Sequence, residues 1–279
     1  MSQTDIDTGT QDLLAHIDGN VGAIVFNRPE RRNALSNPMY EGFRRVLPRF
    51  AEDPEVRVVM ITGSGGAFCA GGDVKGMHES NESGAPREGR PGTREGNIDV
   101  LRRNQRDVSL YIHKMQKPVV AAIPGAAAGA GLSIALAADI RLAAQRALVV
   151  SAFSGIGASG DFGGSWFLTQ LVGHSKAKEL YFMNPRLTAA EAHELGIVNK
   201  VLPDEGFEDA ALAWCHELAA RPPIAMRYIK ENINRAIGSD LATCLDAEAV
   251  AMITTMSTED HREAAAAFVE KRQATFNGR

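Results

Sequence analysis

The chain has 279 residues, 44% of them hydrophobic, which is enough apolar side chain for one large domain or for a domain with a helical appendage. Thirty Lys and Arg against 34 Asp and Glu leave a formal net charge of −4 with no Lys/Arg-dense face, so nucleic acid is not an expected partner, because binding phosphates takes clustered positive charge. The three cysteines, Cys69, Cys215 and Cys244, form no CxxC pair and cannot all be paired within one chain, which predicts a reducing compartment.

Met1–Thr10 is polar and acidic, without the apolar stretch of a secretion signal or the Arg-rich face of an organelle presequence, and a cytoplasmic location is expected. Residues 1–12 read as a flexible tail. Leu13–Ile17 and Gly22–Phe26 alternate around Asp18-Gly19-Asn20, a hairpin signal. A helix follows, with Ser36 as N-cap and Pro38 in the first turn, where a missing N–H costs nothing. Val56–Thr62 is a β-branched apolar run ending in Gly63-Ser64-Gly65-Gly66, which predicts a buried strand and then a loop. His78–Asn97 is rich in Gly, Glu, Arg, Ser and Pro with few apolar residues. It cannot bury enough surface to offset its ordering entropy, which predicts a mobile loop, readable as a lid or as a plain insertion.

Pro118–Ala138 is the longest apolar stretch, but Pro124 and glycines interrupt it, so it reads as strand then helix and no membrane partner is expected. Val119–Ile123 repeats the earlier plan, ending in Pro124-Gly125 before a Gly/Ala-rich helix start. Ile140–Ala144 and Ala147–Ala152 read as short strands, and the pattern turns helical from Gly163. Thr188-Ala189-Ala190-Glu191 is a capping box, with Gly196 at the expected helix stop. Ile197–Leu202 reads as a last strand. After Pro203 the chain is helical, its final helix predicted from about Thr258 to Arg272. The whole is an α/β core over residues 1–202 with a helical C-terminal region over 203–279.

Two strand-to-helix junctions carry the chemistry. One is Ala67-Phe68-Cys69-Ala70-Gly71-Gly72-Asp73-Val74-Lys75, and the other runs from Pro124-Gly125 through Gly129-Ala130-Gly131-Leu132. The first N–H groups of a helix have no partner within it and its dipole favours negative charge, while small side chains let a ligand approach the main chain. Two such junctions facing each other would hold one oxyanion between two amides. For either motif alone, tight turns and close packing explain the glycines equally well. Nucleotide readings fit poorly. Gly125, Gly129 and Gly131 give G-x-x-x-G-x-G, not G-x-G-x-x-G, and the first junction lacks the Lys-Ser/Thr ending of a phosphate loop.

Asn27-Arg28-Pro29 with Asn33-Ala34-Leu35, then F-C-A-G-G-D-V, K-P-V-V-A-A-I-P-G-A-A-A-G-A-G-L and L-T-A-A-E-A-H-E-L-G-I-V, occur in the order and spacing of the crotonase (enoyl-CoA hydratase/isomerase) family. The final A-F-V-E-K-R is also similar to that family's end. The chain resembles the family from about residue 13 to 279, and the resemblance implies a ββα spiral core with a helical C-terminal trimerisation region. It implies that the N–H groups of Gly72 and Ala130 form an oxyanion hole, with Ala130 standing where many relatives have Gly. Coenzyme A, as part of an acyl-CoA thioester substrate and not as a prosthetic group, would run along Ala70–Lys75, touching Ala34, Gly72, Asp73 and Val74. Arg31, Arg32, Lys75 and Lys271 are candidates for its phosphates, each equally readable as a solvated charge. Asp73 reads first as a helix cap. Phe268 and Lys271 resemble positions that reach a neighbouring subunit's ligand, and a homotrimer or a hexamer of two trimers is implied. No metal is expected.

The resemblance also narrows the reaction. Family hydratases use two glutamates, and their counterparts here are Ser133 and Phe153, neither of them a carboxylate base. Asp161, in Gly157-Ala158-Ser159-Gly160-Asp161-Phe162-Gly163-Gly164-Ser165-Trp166, resembles the proton-shuttling aspartate of family isomerases. A carboxylate beside an apolar acyl pocket would have a raised pKa, suited to taking and returning a carbon-bound proton. Its alternative is an N-cap for the helix near Gly163. Ser133, Phe153 and Phe162 are expected at the acyl pocket, Ser133 also being readable as a helix-interior serine bonded to its own backbone. The aspartate of family dehalogenases is similarly placed, but Leu110 occupies the position of their histidine. Hydration by a non-standard base, a non-catalytic acyl-CoA-binding role and a nicotinamide oxidoreductase complete the alternatives.

Overall fold

A computed structural model describes residues 3–73, 76 and 92–279, so Val74, Lys75 and most of the expected 78–97 loop lie outside the described residues. The strands are β1 (Thr4–Ile6), β2 (Leu13–Asp18), β3 (Val21–Phe26), β4 (Val58–Gly63), β5 (Val119–Ile123), β6 (Ala127–Ala128), β7 (Ile140–Ala144), β8 (Leu148–Val150), β9 (Leu187–Thr188) and β10 (Lys200–Leu202). They form a seven-stranded sheet in the order β1-β2-β3-β4-β5-β7-β10 and a small sheet in the order β6-β8-β9. The β1-β2-β3 end is antiparallel and the remainder of the large sheet parallel.

The parallel strands read as continuous apolar runs because both their faces are covered. On one face Ile24, Phe26, Val59, Ile61, Ala121 and Ile123 meet α1 (Asn37–Glu52), which buries Phe43, Val46, Leu47 and Phe50. Each such side chain contributes about 1.5–3 kcal/mol when fully buried. On the other face Val21, Ala23, Val58, Met60, Val120 and Ala122 meet Phe207, Ala211 and Cys215.

Several expectations hold closely. The β2–β3 hairpin pairs Asp18 with Val21, Ser36 caps α1 by accepting from Met39 N, and the capping box at Thr188 is complete. Others need correction. Residues 1–12 are not all tail. Thr4–Ile6 pairs with β2 because Ile6 is only 5% exposed against the core, and Thr8 is buried with its hydroxyl on the carbonyls of Thr10 and Leu13. The 78–97 loop ends early, since Thr93 accepts from Gly96 N and caps α2 (Arg94–Gln105). That helix continues through one wider turn at Arg106–Leu110 into α3 (Tyr111–Lys114).

Downstream come α4 (Ala130–Ala137), α5 (Gly164–Met183), α6 (Ala189–Glu194) and α7 (Phe207–Ala219). The C-terminal half of the helical region is α8 (Pro223–Ala236), α9 (Leu241–Met256) and α10 (Glu259–Glu270). Because α7 covers a whole face of the sheet, the region after residue 202 is in part a component of the core. No described helix is long and apolar enough to cross a membrane.

Candidate active site

The two junctions are stitched together by main chain. Cys69 and Ala127 form a parallel bridge, with Cys69 N donating to Ala126 O at 3.2 Å and Ala128 N to Cys69 O at 2.9 Å. On the other side, Ala70 N donates to Arg32 O at 3.0 Å and Leu35 N to Gly71 O at 2.8 Å. Asn33 is fully buried and locks the clamp, its Nδ2 donating to Ser64 O and Ala67 O and its Oδ1 accepting from Arg28 N. Two positions require glycine here. Gly71 has φ +84°, a region costly for side chains, and a Cβ there would lie 2.7 Å from Ala128 O and 3.0 Å from Ala130 N. A Cβ on Gly131 would collide with the Cys69 carbonyl oxygen.

This stitching leaves two amides over. In the parallel bridge between Leu35 and Gly72 the ladder runs through Gly71 O and the residue after Gly72, so the N–H of Gly72 itself faces away from Leu35. Ala130 opens α4, so its N–H has no acceptor within the helix, and the residue is 3% exposed. Neither N–H has a protein acceptor among the described residues. With Gly71 against Ala130, the two donors lie on touching segments at a positive helix end.

Asp161 sits in an irregular turn between β8 and α5. Phe162 has φ +52°, donates its N–H to Gln105 Oε1 at 2.8 Å, and stacks on Tyr40 with ring centroids 5.9 Å apart. The helix cap that sequence offered as Asp161's alternative role belongs to Gly163, and no side chain closes that end. Asp161 is half-buried and acts on Tyr181, a residue the sequence did not single out. Burial and, second, the Asp161 charge push the Tyr181 phenol up to about 12, against the neighbouring Ser133 hydroxyl, which lowers it. The phenol is therefore neutral throughout the physiological range.

Tyr181 reaches this point because α5 is not one rod. Gly173, with φ +75°, breaks it. Along a straight helix the 17 residues from Gly164 to Tyr181 would span about 26 Å, yet a Cβ on Gly164 would lie 2.6 Å from the Tyr181 hydroxyl and collide with Ser133 Oγ. The Tyr181 ring stacks on Phe153 at 5.9 Å and 11°, and the edge of Phe153 lies 3.9 Å from where a Gly129 Cβ would be. Ser133 is 1% exposed and its Oγ donates to Gly129 O at 3.2 Å, the backbone bonding expected of a helix-interior serine. Asp161, Tyr181, Ser133 and Phe153 thus cluster against the start of α4.

The other expected residues divide. Arg31 and Arg32 lie on the segment bonded to Ala70, and Ala34 is buried there, its carbonyl accepting from Arg28. Asp73 accepts from Gly76 N at 2.9 Å, the N-cap pattern, and faces Arg28 at 3.8 Å. Phe268 and Lys271 lie at the end of α10, and Phe268 is 86% exposed. Among the described residues, neither shares a hydrogen bond, ion pair or ring contact with the junctions. A cavity of about 490 Å³ adjoins the Asp161 turn, walled by Leu110, His113, Phe162, Gly163, Trp166 and Phe167. Gly72, Ala130 and Asp161 do not line it, so it is a neighbour of the cluster and not its centre. Burial raises the Cys69 thiol to about 12, which removes it as a nucleophile. Among the described residues no group of His, Cys, Asp and Glu could hold a metal ion.

Comparison with known proteins adds the following. A model of the enoyl-CoA hydratase/isomerase family matches residues 16–279. The chain is 34% identical to the 1,2-epoxyphenylacetyl-CoA isomerase of Escherichia coli K12, over 96% of this chain and 98% of that protein. It is 35% identical to a short-chain-enoyl-CoA hydratase of Clostridium acetobutylicum, over 94% of this chain and 96% of the other. In structure it is similar to a putative enoyl-CoA hydratase from Streptomyces coelicolor A3(2), with a TM-score of 0.88 and 29% identity over 98% of this chain and 97% of that one.

Proposed function

The chain belongs to the enoyl-CoA hydratase/isomerase family, and from that premise we propose that it moves a double bond within an acyl-CoA thioester by proton transfer through Asp161. The thioester oxygen accepts hydrogen bonds from the N–H groups of Gly72 and Ala130. Asp161 removes a proton from the acyl chain, the charge passes to that oxygen as an enolate, and the protonated Asp161 returns the proton to a different carbon. No net atom is gained or lost. The paired donors lower the cost of charge on the thioester oxygen, and removing one such donor typically costs roughly 10²–10³ in rate.

One observation carries this reading: Asp161 is the carboxylate at the cluster beside α4, with Ser133 bonded to Gly129 O and Phe153 stacked on Tyr181, the two residues that by resemblance stand where family hydratases have glutamates. Two-carboxylate activation of water therefore has no support there. Aryl-CoA dehalogenation has little, since Leu110 replaces the histidine that chemistry needs. The aromatic setting of Phe153 and Tyr181, and the acyl group in the name of the Escherichia coli relative, favour a flat or aromatic acyl chain.

Coenzyme A follows Ala70–Asp73 in this reading, with Arg31 and Arg32 as phosphate partners. A trimer, alone or paired into a hexamer, would cover Leu241, Leu245, Val250, Ile253, Phe268 and Val269, which α9 and α10 leave exposed in the single chain. The test is a panel of enoyl-CoA thioesters offered to wild type and to Asp161→Asn. Isomerisation is expected from the first and its collapse in the second, with thioester binding retained. Wild-type turnover by Asp161→Asn overturns the assignment.

A further inference from the structure

The cavity of about 490 Å³ beside the Asp161 turn has walls of two kinds. One is a basic face: Arg102, Arg106 and Lys114 recur at multiples of four residues along α2, the wider turn and α3, and so share one side of the helix. The other is aromatic, made of Phe162, Trp166 and Phe167, the last two packed edge to face with ring centroids 5.0 Å apart. Among the described residues no Asp or Glu lines this cavity, and Glu52 belongs to an adjoining hollow that shares Arg106 and Lys114. Arg102 meets Asp99 at 3.3 Å, both exposed, whereas Arg106 and Lys114 have no ion pair among the described residues. Ser109 also lines the cavity. It is 3% exposed, and its Oγ has no hydrogen-bond partner among the described residues. A buried hydroxyl without a partner is costly, and a ligand oxygen would supply one. Ser109 lies in the wider turn, a feature frequent at functional sites.

Building on the proton-transfer reading above, we propose that this cavity receives the far end of the acyl group and that this end carries a carboxylate, so that the substrates are mono-CoA thioesters of unsaturated dicarboxylic acids. Phe162 and Gly163 follow Asp161 directly in the chain, and Gln105, which holds the Phe162 N–H at 2.8 Å, lines the same cavity. An acyl chain that extends past the Asp161 turn therefore enters here. Its flat, unsaturated part lies on Phe162, Trp166 and Phe167, and its terminal carboxylate accepts a hydrogen bond from Ser109 Oγ while Arg106 and Lys114 balance its charge. The cavity has the volume of an ordinary small-molecule pocket, roughly 300–1,000 Å³. A chain ending in a methyl group would leave the Ser109 hydroxyl unpaired and the two cations facing apolar surface. Ser109, Arg106 and Lys114 are thus specificity-determining residues, and none of them touches a reacting atom.

The experiment offers two pairs of thioesters of equal chain length to wild type, Ser109→Ala and the double variant Arg106→Gln/Lys114→Gln. The saturated pair, octanoyl-CoA and the mono-CoA thioester of octanedioic acid, is titrated calorimetrically, and its β,γ-unsaturated counterparts are assayed for isomerisation. Wild type is expected to favour the carboxylate-ended member of each pair by about 10-fold or more, in affinity and in kcat/KM. That ratio should fall about 10-fold in Ser109→Ala, which loses a hydrogen bond to a charged group, and by about 3–10-fold in the double variant, which loses two partly exposed charges. Equal or tighter binding of the methyl-ended thioesters by wild type overturns the proposal, as do variants that lose equally on both members of a pair. Should Ser109→Ala fail to fold, the double variant, altered only at exposed positions, decides. The saturated pair separates this inference from the reading beneath it. A preference for the carboxylate without any isomerisation brings down the proton-transfer reading alone, and isomerisation without the preference brings down only the assignment of the cavity.

Discussion

Residues 63–73 and 123–131 are held in place chiefly by main-chain pairing, with the buried Asn33 side chain as a lock, whereas residues 151–164 are held chiefly by side chains. In the first region the Cys69–Ala127 bridge, the Leu35–Gly72 bridge and the buried Asn33 amide fix the geometry, and in the proposed reaction the chemistry is offered by N–H groups. In the second, Ser154–Ser159 are exposed, Phe162 and Gly163 have positive φ, and order comes from Gln105 on Phe162 N, Tyr40 under Phe162 and Tyr181 against Phe153. The difference teaches where a reaction is chosen. An activating site made of backbone is indifferent to most side chains, so long as they are small. A proton-moving group on an irregular turn can be exchanged without disturbing the sheet. One scaffold can then serve relatives named isomerase and hydratase alike.

The sharpest way to break that contrast is Asp161→Asn, which keeps size and removes the proposed base. Isomerisation should fall by roughly 10²–10⁴-fold, the usual worth of general acid–base help, while binding of a saturated acyl-CoA stays unchanged in a calorimetric titration. Next comes Gly131→Ala. Its methyl would strike the Cys69 carbonyl, so the stitching between junctions must give way. Here kcat/KM should drop by roughly 10²–10³-fold, as for a lost oxyanion donor, and unfolding should show a cost of about 1–3 kcal/mol for overpacking.

Ala130→Gly probes the same contrast from the opposite side. Because the donor is main chain, kcat/KM should change less than about 3-fold, with a stability cost of at most about 1 kcal/mol from helix propensity; a large loss would show that the side chain matters. The smallest effect concerns thiols. Burial pushes Cys69 and Cys215 from 9.0 to about 12, so neither should react with a thiol reagent at pH 8 until the chain is unfolded. The sign of their pH dependence follows. The unfolded chain ionises these thiols above about pH 9 and the folded one does not, so their stabilising effect is complete below that pH and lost as pH climbs toward 12. Melting temperatures measured across that range check it.

Much of the main-chain region was legible in sequence, because glycine at a strand end, Ser36 before a helix and Thr188 three residues before Glu191 each state a local rule that the fold obeys. Strand β1 was missed, since three residues carry little periodicity and only Ile6 is buried. In the side-chain region Asp161, Ser133, Phe153 and Phe162 were singled out in sequence, whereas Tyr181 and Gln105 were not. Tyr181 lies in what reads as an ordinary helix, and its part depends on the reversal at Gly173, for which the available signal was the Gly173-His174-Ser175 interruption. Gln105 meets Phe162 across 57 residues of chain, a contact no local pattern encodes. Local rules survive in sequence, and long-range side-chain partnerships do not.

The central claim is that two backbone amides and one carboxylate together move a proton on a thioester. Isomerisation of an enoyl-CoA in deuterated water tests it most directly, with deuterium at the acyl carbons followed by mass spectrometry for wild type and Asp161→Asn. The account predicts a shifted double bond with deuterium incorporated and no hydrated product from wild type, and neither shift nor incorporation from the variant. Hydrated product without isomerisation, or undiminished exchange in Asp161→Asn, would contradict it.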